Sequence, residues 1–142
     1  MILHVWTVLC SRSVIDIDSK NISIQNVIEQ VEIAANPSPE GKIAIPMELV
    51  SFWARADPGI GIRGEARILF LQPSGKEAEL LAYPLDLEDS PKARVRVNIA
   101  VVPVPEPGRY LFHVEYRLHE GESWQLVAKI PLDVNFRPEE DK

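Results

Sequence analysis

The sequence predicts an all-β protein, an antiparallel β-sandwich of seven or eight strands. Three observations lead to this class. Proline and glycine separate short runs rich in Val, Ile and Leu along the chain. No segment of a dozen residues holds the 3.6-residue period of an amphipathic helix. Residues 110–118, which follow a Pro-Gly corner, carry an aromatic or aliphatic side chain at every even position, as a strand with one face against a core requires.

Eight strands are predicted in order, each bounded by turn residues: residues 2–10, 22–34, 47–56, 64–72, 77–85, 93–102, 109–118 and 123–135. The second changes the parity of its apolar positions between Ile24 and Val27, which indicates a bulge or bend. Pro73-Ser74-Gly75 is a tight turn between the fourth and fifth strands, and residues 119–122 join the last two as a hairpin. Strands this short, separated by regular turn signals, are typical of a sandwich.

The chain has 142 residues, which fits one domain that buries a core without a disulfide or a metal. We expect that domain over residues 1–136 and a charged, frayed tail over 137–142. The formal net charge is −6, and Lys and Arg are scattered. This composition argues against binding to nucleic acid or to an anionic membrane.

A single cysteine, Cys10, allows no intramolecular disulfide and argues against a secreted disulfide scaffold. Residues 1–10 are apolar but lack a basic leader and a small-residue cleavage site, so they predict a strand rather than a signal peptide. No stretch approaches the length of a membrane span. We therefore expect a cytoplasmic protein.

The first predicted strand is apolar on both faces. One face carries Ile2, Trp6, Val8 and Cys10, and the other carries Leu3, Val5 and Leu9. A strand of this kind is covered on both faces, whereas a two-layer sandwich covers only one. The sequence thus predicts an interface formed by Ile2, Trp6, Val8 and Cys10 with a second copy or another protein; the chain's own loops, such as residues 36–45, are the alternative cover.

Several landmarks together resemble an uncharacterised, mostly bacterial family of short proteins catalogued as a domain of unknown function. They are the strand ending at Cys10, the turn 16–21 leading into 22–24, Val27-Ile28, Pro46 ahead of the third strand, residues 64–76, and Pro107-Gly108-Arg109-Tyr110. Asn21 and Ser11 stand where that family usually has a glycine and an acidic residue. The resemblance implies an immunoglobulin-like β-sandwich and no particular activity.

Residues 59–64, Gly-Ile-Gly-Ile-Arg-Gly, match the dinucleotide-binding pattern G-x-G-x-x-G. That mechanism needs the third glycine to open a helix whose N-terminus holds pyrophosphate. The residues after Gly64 predict a strand, so we interpret the segment as a connection between strands.

Two acidic turns and one strand face offer ligands for a metal ion. The turns are Asp16-x-Asp18-x-x-Asn21 and the loop with Asp86, Glu88 and Asp89, which could supply oxygens to calcium. We favour ordinary turns, because Asp and Asn stabilise turns through local hydrogen bonds. His113 and Glu115 alternate on one strand face and could share a zinc ion, but a third ligand is needed, and a solvated face is the favoured interpretation.

Cys10 has no sequence signal for a nucleophile, since it ends an apolar strand where a buried thiol acts as a small hydrophobe. Trp53 and Trp124 share parity with apolar positions of their strands and are predicted in the core. Trp6 stays open between core and surface.

The leading hypothesis is a non-enzymatic protein, without cofactor or metal, that acts through self-association or contact with a protein partner. The second is a small-ligand or carbohydrate-binding module that uses loop-edge aromatics such as Trp53 or Tyr83. The third, ranked last, is a metal-dependent enzyme built on His113 and Glu115.

Overall fold

The computed structural model describes residues 1–34 and 42–137, with side-chain environments from Ile45 onward in the second range. Nine strands make up its regular structure: β1 (Ile2–Ile15), β2 (Ile22–Val27), β3 (Gln30–Ala34), β4 (Lys42–Arg55), β5 (Ile62–Leu71), β6 (Glu77–Leu87), β7 (Lys92–Pro103), β8 (Gly108–Arg117) and β9 (Gln125–Arg137). No helix occurs in the described residues. The predicted all-β class is confirmed.

The strands form two sheets, a four-stranded sheet of order β2-β1-β4-β7 and a five-stranded sheet of order β3-β9-β8-β5-β6. Every pairing is antiparallel except that of β3 with β9, which is parallel. The two layers enclose one apolar cluster, to which both sheets contribute. This is the sandwich arrangement that buries one face of each sheet.

The second predicted strand is in fact two strands that belong to different sheets. β2 ends at Val27, and β3 begins at Gln30 beside β9. Asn26 takes a left-handed conformation with φ 55°, which Asn tolerates better than most residues. The predicted parity switch therefore marks the crossing of the chain between layers, and the described residues hold nine strands where seven or eight were expected.

A bulge in β1 changes which side chains face the core. The register against β4 shifts between His4 and Trp6, and an extra residue reverses the alternation of side chains beyond it. Ile2 and Leu9 consequently both belong to the core cluster. The prediction that Ile2 shares a face with Trp6 and Val8 is wrong for this reason.

The β1–β2 hairpin folds back over the outer face of the four-stranded sheet. Arg94 lies level with Trp6 in the sheet, because both pair with Phe52. Its guanidinium nevertheless donates to the carbonyl of Lys20 at the hairpin tip, at 3.3 Å. Arg96 similarly donates to the Ser13 carbonyl at 3.5 Å. The hairpin arm thus crosses the sheet, which accounts for the complete burial of Val50 on its outer face.

Two tyrosine-containing contacts fix the centre of the five-stranded sheet. Tyr110 is fully buried, and its hydroxyl donates to the Glu106 carbonyl at 2.6 Å and accepts from the Glu106 N–H at 3.3 Å. Its ring stacks on Phe70 with the centroids 5.3 Å apart. The side chain therefore ties the chain corner before β8 to the core.

The domain boundaries stay a prediction. Arg137, assigned to the predicted tail, is the last residue of β9. The rest of that tail lies outside the described residues.

Candidate functional site

The four predicted interface residues do not form one exposed surface. Ile2 is only 2% exposed and Cys10 is fully buried, whereas Trp6 and Val8 are partly exposed. The bulge places Ile2 in the core, and the folded-back hairpin lies over the part of the outer face that holds Cys10. Of loop 36–45, named above as the alternative cover, residues 36–41 lie outside the described residues and 42–45 belong to β4.

Two exposed apolar side chains of β1 lie near its N-terminus, as Val14 and Ile15 do near its other end. Leu3 is 46% exposed and Val5 is 48% exposed. Trp6 stacks on Phe52 of the neighbouring strand, with ring centroids 5.7 Å apart and planes 15° apart. We call Leu3, Val5, Trp6 and Phe52 the β1 patch. Alternation in the sequence predicts Leu3 and Val5 on the opposite face from Trp6, because the bulge has no signature in the sequence.

The strand edge beside this patch has no pairing partner in the part of the chain that the structure describes. β1 pairs with β4 from Ile2 onward, but its pairing with β2 starts only at Cys10. The first half of β9 is likewise bonded to β8 alone, since β3 pairs only with Asp133–Arg137. One side of the sandwich is therefore open at the end where the β1 patch lies.

An array of charged and aromatic side chains lies on the outer face of the five-stranded sheet, and the sequence did not predict it. Its members are Glu65, Arg67, Glu115, Arg117 and Trp124. The guanidinium carbons of Arg67 and Arg117 lie 4.4 and 4.3 Å from the centre of the Trp124 ring. Arg67 Nε is 2.7 Å from the Glu115 carboxylate, and Arg117 pairs with Glu65. Cations over an aromatic face are attracted by its quadrupole. The array holds the turn between β8 and β9 against the sheet.

The core prediction for Trp124 is wrong. This residue precedes β9 and packs on the arginines outside the sandwich. Alternating charges in 65–67 and 115–117 were a usable signal, but only the register of β5 against β8 brings them side by side.

Glu115 is engaged by Arg67, and His113 lies opposite Lys129 and Leu69 in neighbouring strands. Within residues 1–34 and 42–137, no three His, Cys, Asp or Glu side chains lie close enough together to hold a metal ion. The structure does not bring a third ligand to the pair that the zinc hypothesis requires.

The acidic turns use their carboxylates locally. Asp16 Oδ1 accepts from the backbone N–H groups of Asp18 and Ser19 at 2.8 and 2.7 Å, and these bonds lower the pKa of Asp16. Asp86 accepts from the Glu88 N–H at 3.1 Å and lies 3.5 Å from Arg63. Both arrangements agree with the turn interpretation.

The glycine-rich segment runs into a strand, as predicted. β5 begins at Ile62, so Gly64 lies inside it. A Cβ at Gly64 would sit 2.8 Å from the Arg117 carbonyl oxygen, which explains glycine there without a phosphate.

Trp53 is fully buried in the core, as predicted. Tyr83 lies in β6 with its hydroxyl shielded from solvent. Neither is a loop-edge aromatic, so neither of the two side chains named for carbohydrate stacking is placed for that role. A cleft of about 540 Å³ does open beside Tyr83, and its walls include Arg63, Glu65, Arg117 and Glu120.

Comparison with known proteins places the chain in no family. No family model matches it, and no curated protein does either. A solved structure described as the N-terminal domain of PorA is similar over 93% of this chain and 98% of that one, at 14% identity and a TM-score of 0.31. The resemblance to an uncharacterised family stays a prediction. The described residues contain no helix of the length and hydropathy needed to cross a membrane.

Proposed function

We propose that the protein is a non-enzymatic module with an immunoglobulin-like strand order, and that it self-associates through the β1 patch. A cytoplasmic location is part of this proposal, and the buried free thiol of Cys10 is compatible with it.

The strand order supports the immunoglobulin-like part. The sequence β9-β8-β5-β6 within one sheet corresponds to the G-F-C-C′ order of immunoglobulin variable domains, and β1-β4-β7 corresponds to A-B-E. Tyr110, near the start of β8, bonds the backbone four residues upstream. The tyrosine corner of immunoglobulin domains makes the same kind of bond near the start of strand F.

The proposed self-association rests on one observation, the exposed apolar side chains near the N-terminal end of β1. The hairpin covers the outer face near Cys10 and Val50, but it leaves Leu3 and Val5 nearly half exposed beside the Trp6–Phe52 stack. None of these side chains is charged, although the whole chain carries −6. Two copies can therefore approach through this patch without opposing like charges.

Side-chain packing is favoured over addition of a strand at the open edge. The bulge between His4 and Trp6 interrupts β1. The open part of β9 carries its own bulge near Val127, and Pro131 lacks a backbone donor. Bulges and prolines are the features by which sheets block pairing between edges.

The test is native mass spectrometry of untagged protein, with light scattering across a concentration series. We expect a dimer for the wild type and monomers for Val5→Glu and Trp6→Glu, because a carboxylate in the patch would be desolvated on association. Val101→Glu is the matched control, since Val101 is 52% exposed on the same sheet but lies in β7, and it should stay dimeric. A monomeric wild type, or a Trp6→Glu variant that stays dimeric, would overturn the proposal.

A second candidate, binding of a small polar ligand such as a carbohydrate, rests on the cleft beside Tyr83. Its walls offer both cationic and carboxylate groups, which suits a polar ligand. Saturation-transfer NMR against a glycan panel tests it, and Glu120→Gln should weaken any binding found. A panel without a binder at millimolar concentration would remove this candidate.

A further inference from the structure

A second apolar surface lies on the outer face of the four-stranded sheet, beneath the hairpin arm formed by residues 11–27. Val50 and Cys10 are fully buried, yet neither belongs to the core cluster between the sheets. Val8 pairs with Val50, and Cys10 follows Val8 on the same face of β1. We call Val8, Cys10 and Val50 the covered face, because the arm shields it from solvent.

The covered face continues the β1 patch without a break. Trp6 pairs with Phe52, and two residues further along the strands Val8 pairs with Val50. Side chains two residues apart on a strand lie on the same face, so these four side chains form two adjacent rows. None of them is charged. Removal of the arm would therefore enlarge the apolar surface that the β1 patch presents.

The arm rests on the sheet through one side of β2. Ile22 and Ile24 are half-buried, and they alternate with Ser23 and Gln25, which are exposed. Neither isoleucine belongs to the core cluster. An apolar side chain that is half-buried outside the core has another surface against it, and the outer face of the sheet is the surface that the arm crosses.

The hydrogen bonds that hold the arm to β7 are long. Arg94 donates to the Lys20 carbonyl at 3.3 Å and Arg96 donates to the Ser13 carbonyl at 3.5 Å, whereas such bonds usually measure about 2.7–3.2 Å. A shorter bond joins the arm to β4, where Ser13 Oγ donates to Glu48 at 2.5 Å. Segments held by weak contacts of this kind open locally at a small fraction of the cost of global unfolding.

We propose that the hairpin arm acts as an autoinhibitory strap on self-association. Opening of the arm joins the covered face to the β1 patch, and a second copy of the chain packs on the enlarged surface. With the arm closed, a second copy reaches only the patch itself. This inference rests on the proposed self-association through the β1 patch.

The strap makes a quantitative link between arm opening and association. When a complex requires a minor form, its apparent dissociation constant equals the intrinsic constant divided by the fraction of protein in that form. A substitution that loosens the arm without altering either apolar surface should therefore tighten the dimer.

Ser13→Ala is such a substitution, because it removes the donor to Glu48 and leaves the β1 patch and the covered face unchanged. Arm opening is measured by the rate at which Cys10 reacts with a thiol reagent, at a concentration where the protein is monomeric. The dimer dissociation constant is measured by sedimentation equilibrium. We expect a Cys10 rate that rises, and a dissociation constant that falls, by about fivefold or more, since a hydrogen bond to a charged group is strong enough for that change.

The matched control is Ser90→Ala. It also removes one serine hydrogen bond, from Ser90 Oγ to the Lys92 carbonyl at 2.9 Å, but it lies outside the arm and both surfaces. Neither the Cys10 rate nor the dissociation constant should change in this variant.

The outcomes separate this inference from the proposed self-association. Faster Cys10 reaction in Ser13→Ala with an unchanged dissociation constant would overturn the strap and leave self-association intact. A wild type that is monomeric at every concentration would overturn both.

A second variant is used if Ser13→Ala does not fold or leaves the Cys10 rate unchanged. Arg94→Ala removes the donor to the hairpin tip, and Arg109→Ala in β8 of the other sheet is its charge-matched control. Faster Cys10 reaction and a tighter dimer in Arg94→Ala alone would support the strap. An unchanged Cys10 rate in Arg94→Ala, or an equal change of the dissociation constant in both arginine variants, would contradict it.

Discussion

The hydroxyl of the fully buried Tyr110 side chain both donates to and accepts from the partly buried backbone of Glu106. Removing it leaves those two backbone groups with no hydrogen-bond partner, which costs more than the hydrogen bond itself contributes. We expect Tyr110→Phe to lower the free energy of unfolding by about 1–3 kcal/mol, measured by urea denaturation at constant m-value. Tyr116→Phe in the same strand is the control and should cost less; equal losses would contradict this role for Tyr110.

His4 makes stability depend on pH. Its partial burial lowers its pKa below the ordinary 6.5, so the unfolded chain binds a proton more readily than the folded chain. Stability is therefore greatest above about pH 6.5 and falls as the pH drops below that value toward the folded pKa. Urea unfolding at several pH values between about 5 and 7.5 measures this slope. His4→Gln should make the slope shallower, and an unchanged slope would show that other groups cause it.

The burial of Trp53 could be predicted from the sequence, whereas the position of Trp124 could not. Trp53 alternates with apolar neighbours and is buried, as that pattern predicts. Trp124 also shares parity with apolar positions, yet it lies outside on two arginines. The difference arises because β9 begins at Gln125, so parity within the strand does not extend to Trp124. The alternation of a strand does not predict the burial of residues that lie beyond its ends.

At the scale of elements, Trp124 joins the β8–β9 turn to the sheet through Arg67 and Arg117. Each cation–π contact contributes about 0.5–1 kcal/mol at a partly exposed site. We expect Trp124→Ala to lower the free energy of unfolding by about 1–2 kcal/mol. Leu126→Ala, which truncates an exposed side chain nearby, should have a smaller effect. Equal free energies of unfolding in the two variants would show that the array does not stabilise the protein.

The β1–β2 hairpin is held across its sheet by few bonds, so it should open locally before the whole protein unfolds. Asp16→Ala removes two hydrogen bonds from the hairpin turn. We expect faster reaction of the buried Cys10 thiol with a thiol reagent in this variant. Asp86→Ala, which removes a hydrogen bond to the backbone just after β6, is the control. Equal rates in the two variants would show that Cys10 becomes accessible by some other opening.

Alternation located most strands, because side chains on the two faces of a half-buried strand meet different surroundings. The bulge in β1 and the folded-back hairpin were not predictable. Both depend on contacts between distant residues, such as Arg94 with Lys20 and Ser13 with Glu48. The predicted grouping of Ile2 with Trp6 and Val8 on one face was wrong for the same reason, since one extra residue reverses which side chains of β1 face outward beyond it.

At the scale of the whole molecule, the core cluster is continuous between the sheets. We expect one cooperative thermal transition in calorimetry, with equal calorimetric and van't Hoff enthalpies. Two resolved transitions would contradict the single-domain prediction for residues 1–136.

The pairing of β3 with β9 has a consequence for synthesis. The ribosome releases β3 early, but its only partner strand in the described structure ends at Arg137. Until that strand emerges, β8 presents an unpaired edge whose inward side chains include Tyr110, Phe112 and Val114. A stalled or truncated nascent chain would therefore expose the edge of β8. This edge can pair wrongly with strands of neighbouring nascent chains on a polysome. Residues 125–137 are therefore the segment whose synthesis allows the edges of both β3 and β8 to pair.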